Sequence, residues 1–195
     1  MSDAKPRCDW PANDTLMIAY HDNEWGVPVH NDKLHFEFLI LDAFQAGLSW
    51  RTILYKRENF REAFDGFDVE RVARYGKRDV NRLLKNEGII RNRLKVATSI
   101  TNAQAFIDIQ NEYGSFDEFV WNFVGGETIQ NAWVSMKHLP AKTKESDAMS
   151  EELKERGMKF VGSTILYAYM QAAGMVNDHE IGCYRHAELN GSVSK

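Results

Sequence analysis

Apolar side chains recur along most of this chain at intervals of three and four residues, the spacing that gives an α-helix one buried stripe. Strand-like alternation is weak everywhere, so the pattern predicts an all-α protein. Asp32 is placed to cap a helix running to about Ala46, with Gly47 as its stop. "DVERVARY" (68–75) and "DVNRLLKN" (79–86) each open on an aspartate, which suits the positive N-terminal end of a helix. Residues 88–110 carry Ile89, Ile90, Leu94, Ala97, Ile100 and Ala103 close to helical period. "SFDEFVWNFVGG" sets Ser115 and Glu118 at capping-box spacing before a glycine stop. Ser146 opens a further helix, "GMKFVG" interrupts it, and "STILYAYMQAAG" resumes a helix that ends at Gly174.

Residues 146–174 thus read as helix, glycine-bounded loop, helix. Gly157 and Gly162 let the backbone turn at little steric cost. Gly162 precedes a helix start at Ser163 and Thr164, where backbone N–H groups lack intrahelical partners and favour an anion such as phosphate. Lys159 adds a charge from the loop. Such a unit grips a DNA backbone without reading its sequence; an ordinary antiparallel helical hairpin satisfies the same pattern.

With 195 residues the chain has the length of one domain, or of two lobes sharing a core. No run reaches the roughly 18 apolar residues of a membrane span. The opening "MSDAKPRCDW" has no apolar h-region, so no secretion signal is expected and the cytoplasm is the default. The net charge of −4 announces no nucleic-acid partner, yet residues 51–100 hold 13 Lys/Arg against 7 Asp/Glu. A basic sector on an acidic protein can form a DNA footprint, and it can equally be a set of solvated helix faces.

The two cysteines, Cys8 and Cys183, stand near opposite ends. "VNDHEIGC" sets His179 and Cys183 at i and i+4, on one face if the segment is helical. With Cys8 and His21 they make a closed Cys2His2 set suited to structural zinc, which would tie the chain ends together and leave no position for chemistry at the metal. Buried thiols and incidental histidines are the plainer alternative.

Asp42 stands in one of the most apolar runs, "HFEFLILDAF" (35–44), where an unpartnered carboxylate is costly. It either satisfies loop N–H groups or points into a cavity. Tyr20, Trp25 and Trp50, in the same third of the chain, are flat groups that can stack on a purine while a carboxylate hydrogen-bonds its edge.

Taken together, "RCDW" (7–10), "AYHDNEWGVP" (19–28), "QAGLSWRTILYKRENFREAF" (45–64), "GIIRNRLKV" (88–96), "FVWNFV" (119–124), residues 146–179 and Cys183 resemble the DNA-3-methyladenine glycosylase I family over nearly the whole chain. The resemblance implies an all-α helix-hairpin-helix DNA glycosylase fold with two helical lobes in a single domain spanning residues 1–195. Zinc held by Cys8, His21, His179 and Cys183 would clamp the N-terminal segment (about 1–30) to the C-terminal one (about 170–190). The hairpin at about 146–174 would hold DNA phosphates through Lys159, Gly162, Ser163 and Thr164. The implied activity is base-excision repair: hydrolysis of the N-glycosidic bond of 3-methyladenine in alkylated double-stranded DNA, leaving an abasic site, by a bacterial cytoplasmic protein acting as a monomer. Asp42 would be the catalytic carboxylate at the base edge. Tyr20 and Trp50 would stack on the flipped base, Trp25 would line the pocket, Leu48 would probe or fill the gap in the duplex, and Gln45 would bind DNA beside it. Related glycosylases carry a catalytic aspartate shortly after the hairpin; this family lacks that arrangement, so Asp178 is given no catalytic role.

Two positions depart from the family pattern. The family reads Leu-Glu-Gly where this chain has Leu41-Asp42-Ala43, which shortens the carboxylate by one methylene. Some members carry an aromatic residue where Met17 stands. Both bear on base selection, so a glycosylase with altered lesion specificity, or a non-catalytic protein that binds damaged DNA, are the alternatives.

Overall fold

A computed structural model describes residues 5–191. Its helices are α1 (Thr15–Asn23), α2 (Asp32–Gln45), α3 (Trp50–Leu54), α4 (Arg57–Ala63), α5 (Val69–Ala73), α6 (Lys77–Lys85), α7 (Arg93–Tyr113), α8 (Phe116–Trp121), α9 (Lys144–Glu155), α10 (Ser163–Ala172) and α11 (Tyr184–Asn190). The expected all-α character holds, with one small addition. Strands β1 (Ile129–Gln130) and β2 (Val176–Asn177) form a two-residue parallel pair, with Ile129 opposite Val176. No sequence period can announce a strand that short.

Helix α2 runs through the middle of the molecule and is buried on every side from His35 to Phe44. A helix apolar all round belongs in a core rather than on one. Phe36 meets Phe106 of α7 edge-on at 5.3 Å, and Phe106 stacks on Phe116 of α8 at 3.9 Å. At the other end of α2, Phe44 packs against Phe60 of α4 at 4.9 Å. These aromatic contacts set where α2, and hence Asp42, sits.

Several helix starts differ from expectation. Asn31, not Asp32, caps α2, its side chain accepting from the Leu34 N–H. Asp32 is spent across the fold instead, accepting from the Phe116 and Asp117 N–H groups and from Gln110 Nε2 at 2.6–3.0 Å. Helix α6 begins two residues earlier than predicted, with Asp79 accepting the Gly76 N–H from inside the first turn. Helix α7 begins at Arg93 because Asn92 caps it, so Ile89 and Ile90 lie before the helix. In α9 the cap is Thr143, and Ser146 supplies the reciprocal half of the capping box. The predictions for Asp68 and Ser115 as caps agree with the structure.

Candidate functional site: an aromatic cavity beside a Cys2His2 cluster

Helices α9 and α10 form a hairpin whose loop turns at Gly157, with φ of +88°. Gly162 does not share this role: its φ is −64°, ordinary extended backbone at the N-cap of α10. A Cβ added there would meet nothing within 4 Å, so nothing inside the protein demands glycine. Helix α7 braces this loop, because Asn102 both donates to the Lys159 carbonyl and accepts from the Lys159 N–H, each at 2.9 Å. Two turns earlier on α7, Lys95 donates to the Phe44 and Ala46 carbonyls at 2.8 and 2.7 Å, closing the C-terminus of α2. The Ser163 hydroxyl is turned inward, 2.8 Å from Ser146 Oγ.

Between α1, α2, α3 and α10 lies a cavity of about 180 Å³ lined by Trp10, Met17, Tyr20, Trp25, Asp42, Gln45, Trp50, Met136, Ala168 and Gln171. Tyr20 and Trp50 face each other at 5.2 Å with their planes tilted by 45°, and Trp10 meets Trp25 edge-on at 5.2 Å. Asp42 is 3% exposed, and its Oδ2 finds no hydrogen-bond partner among the described residues. Burial pushes its carboxyl well above the usual range, against the pull of Arg57. That guanidinium is held by Glu24 and Glu37 at 2.5 and 2.6 Å, so it does not neutralise Asp42 directly. Trp10 Nε1 and Trp50 Nε1 are also buried without partners. Unsatisfied polar atoms are rare in folded proteins, and three gathered on one cavity mark a place for a polar ligand.

A second hollow, lined by Asp42, Gln45, Leu48, Thr164, Ile165 and Ala168 among others, adjoins the first and runs from the α2–α3 turn to the start of α10. Leu48 stands at its rim, 42% exposed. Asp42, Tyr20, Trp25, Trp50 and Gln45 are therefore brought together around one cavity, Leu48 and Thr164 line its extension, and Lys159 sits in the adjacent loop. The residues that sequence reasoning left unassigned are Trp10, Met136, Ala168 and Gln171. The spacing of Thr164, Ala168 and Gln171 along one face of α10 was a signal for the last two. Met136 had none, because a loop between residues 131 and 143 delivers it.

Behind Trp25 lie Cys8, His21, His179 and Cys183, all buried, with one ligand atom from each within 4.8 Å of the others. The segment from His179 to Cys183 is not helical, so the two do not share a helix face. They are joined by a turn in which the Cys183 N–H bonds the Glu180 carbonyl, and α11 starts only afterwards. Cys183 Sγ lies 3.5 Å from His21 Nε2 and 3.6 Å from His179 Nδ1, and Cys8 Sγ lies 3.6 Å from the same Nδ1. Zinc bonds of about 2.3 Å to sulfur and 2.0–2.1 Å to nitrogen, at a tetrahedral angle, separate S from N by about 3.5 Å, so the donor set fits such an ion. Each histidine also turns its other ring nitrogen to an acceptor, His21 Nδ1 to Asp22 at 2.8 Å and His179 Nε2 to the Trp25 carbonyl at 2.9 Å. That is the arrangement which orients metal-bound imidazoles.

Asp178 is not in the cavity wall. It is 1% exposed and accepts four hydrogen bonds, from Asn131, Trp133, Tyr167 and Gln171 at 2.6–2.7 Å.

Comparison with known proteins agrees with this geometry. The chain is 48% identical over 177 residues to the DNA-3-methyladenine glycosylase 1 of Escherichia coli K12, covering 91% of this chain and 95% of that protein. It is 40% identical to the DNA-3-methyladenine glycosylase of Haemophilus influenzae, covering 91% and 96%. A crystal structure of 3-methyladenine DNA glycosylase I superposes with a TM-score of 0.89 at 50% identity over 92% of this chain and 98% of that one. The Staphylococcus aureus enzyme, solved to explain its 3-methyladenine recognition, superposes at 0.88 with 32% identity over 91% and 95%. Residues 10–186 match the profile of the methyladenine glycosylases, and the chain belongs to that family.

Proposed function

We propose that this protein hydrolyses the N-glycosidic bond of 3-methyladenine in alkylated DNA, freeing the base and leaving an abasic site. The observation that carries the reading is Asp42, a buried carboxyl with an unpartnered oxygen on the wall of an aromatic cavity. Methylation at N3 makes the base a cation, so it departs with the glycosidic electron pair as a neutral purine. Water then adds to the sugar carbon and loses a proton. A good leaving group needs little activation, and tighter hold on the departing state suffices. Asp42 hydrogen-bonds the base edge, Tyr20 and Trp50 stack on it, and Trp25 closes the wall. Leu48 occupies the gap left in the duplex, and Gln45 contacts the DNA beside it. Helices α9 and α10 serve as the helix-hairpin-helix, with the Lys159 charge and the N–H groups at Gly162 to Thr164 directed at backbone phosphates.

Cys8, His21, His179 and Cys183 hold a structural zinc ion that supplies no chemistry beyond fastening the chain ends, since the set is closed. Residues 1–195 act as one domain, and the protein works as a monomer in a bacterial cytoplasm.

The test is incubation with methylated DNA and chromatography of everything released. Recovery of 3-methyladenine is expected. No free base at high protein concentration would overturn the reading and leave a non-catalytic binder of damaged DNA. A second reading, altered lesion preference, is favoured by Met17 on the cavity wall and by Asp42 itself, one methylene shorter than the family's glutamate. It predicts a different mixture of released bases, shifted toward 3-methyladenine by Asp42→Glu.

A further inference from the structure

Asp178 is a buried carboxylate that the proposed reaction does not use, and its contacts bear on the cavity. Its four acceptor positions are filled by donors, two on each oxygen: Asn131 Nδ2 and Trp133 Nε1 on Oδ1, Tyr167 Oη and Gln171 Nε2 on Oδ2. Gln171 lines the cavity that Asp42 lines. A primary amide has one donating and one accepting end. A carboxylate can only accept, so the NH2 end of Gln171 must face Asp178. Its Oε1, which accepts from no other described residue, is the end left for the cavity.

We propose that Asp178 is a positioning residue that turns the Gln171 side-chain carbonyl, rather than its NH2, toward the cavity, and that this carbonyl selects a positively charged purine over a neutral one. The inference rests on the reading of the cavity as a base pocket. The carbonyl end of an amide attracts a cationic ring and the NH2 end repels it. Inside a cavity walled by Trp10, Tyr20 and Trp50 that difference is weakly screened. Neutral adenine, which outnumbers the lesion in any genome, gains at most an ordinary hydrogen bond from this contact and none of the attraction for charge. The same orientation could not be held by Gln171 alone, because a free amide would flip to suit either ligand.

The test compares two probes at mildly alkaline pH by quenching of tryptophan fluorescence. One is 3-methyladenine, neutral as the free base. The other is 3,9-dimethyladeninium, a permanent cation whose N9 methyl stands where the sugar is attached. The parent protein is expected to prefer the cation. Gln171→Met, close in shape and without the carbonyl, is expected to lower that preference by about tenfold or more, the scale of one hydrogen bond to a charged group. Asp178→Asn can donate to Gln171 Oε1 and so reverse the amide, and is expected to lower the preference similarly with its metal content retained. An unchanged ratio in Gln171→Met, or equal loss of both affinities, overturns the selection. A ratio that falls in Gln171→Met but persists in folded Asp178→Asn overturns the positioning by Asp178. If the parent binds neither probe, the base-pocket reading itself fails, and this inference falls with it.

Discussion

Asp42 sets a conflict between stability and use. Burial holds its carboxyl neutral in the fold to higher pH than in the unfolded chain. A raised folded pKa means the group costs nothing below the unfolded value of about 3.9, and costs progressively more as pH climbs from there toward the folded value. Asp42→Asn removes that penalty, so its Tm relative to the parent should rise steadily from acid to neutral pH, by roughly 2–4 °C per kcal/mol relieved. Calorimetry across that range checks the sign; a pH-independent difference would contradict the burial argument. The same variant should release 3-methyladenine about 10-fold more slowly or worse, the scale of one hydrogen bond to a charged group. A site that pays for function in stability is the common pattern at strained or desolvated positions.

At the scale of elements, the α9–α10 hairpin is tied to the rest of the molecule at both ends. Asn102 of α7 holds its loop, and Gly174 ends α10 against the backbone of residues 27 and 28. A Cβ on Gly174 would come within 2.3–2.4 Å of Val27 and Pro28 backbone atoms, at a φ of +68°. Gly174→Ala should therefore cost about 1–3 kcal/mol for the backbone conformation alone, with the clash in addition, and show as a large drop in Tm or loss of folded protein. Lys159 sits in the loop and tests the DNA contact without touching the cavity. Lys159→Ala should weaken binding to any duplex, damaged or not, and reduce the slope of log Kd against log salt by about 1. A salt slope equal to the parent's would take Lys159 out of the interface. Helix α10 spans both regions, with Thr164 on the outer hollow near its start and Gln171 on the cavity of Asp42 near its finish.

Across the whole molecule, the Cys2His2 cluster brings Cys8, before α1, and His21, within α1, against His179 and Cys183, before α11, and it does so directly behind the cavity. Trp25 is the shared part: its ring meets His179 edge-on at 4.6 Å and Trp10 at 5.2 Å, and its carbonyl receives His179 Nε2. Stripping metal with a chelator should lower Tm, alter Trp10 and Trp25 fluorescence, and weaken base binding through the wall they form, with recovery on adding zinc. Elemental analysis of the purified protein should find one equivalent of zinc. Metal-free protein with unchanged Tm would dismiss the clamp. No helix among the described residues is long and apolar enough to cross a membrane.

The sequence alone determined the helical class, some of the helix ends and the family, because those signals are local. A glycine stop at Gly47, a cap at Asp68 or Ser115, and a stripe of three- and four-residue spacing each depend on neighbours within a turn or two. The resemblance likewise rests on residues read in order, and it collected Cys8, His21, His179 and Cys183 before any geometry was known. Where several local choices competed, sequence could not decide. Asn31 took the cap that Asp32 was equally able to fill, since Asp32 found better partners on α7 and α8, some 80 positions away in the chain. The i, i+4 spacing of His179 and Cys183 suits one face of a helix, yet a turn delivers the same pair. Only the tertiary structure showed that α2 is enclosed on all sides, that Trp10 and Gln171 reach the cavity of Asp42, and that Asp178 faces away from it. Those facts depend on which distant surfaces pack together, and packing is settled by the whole core at once.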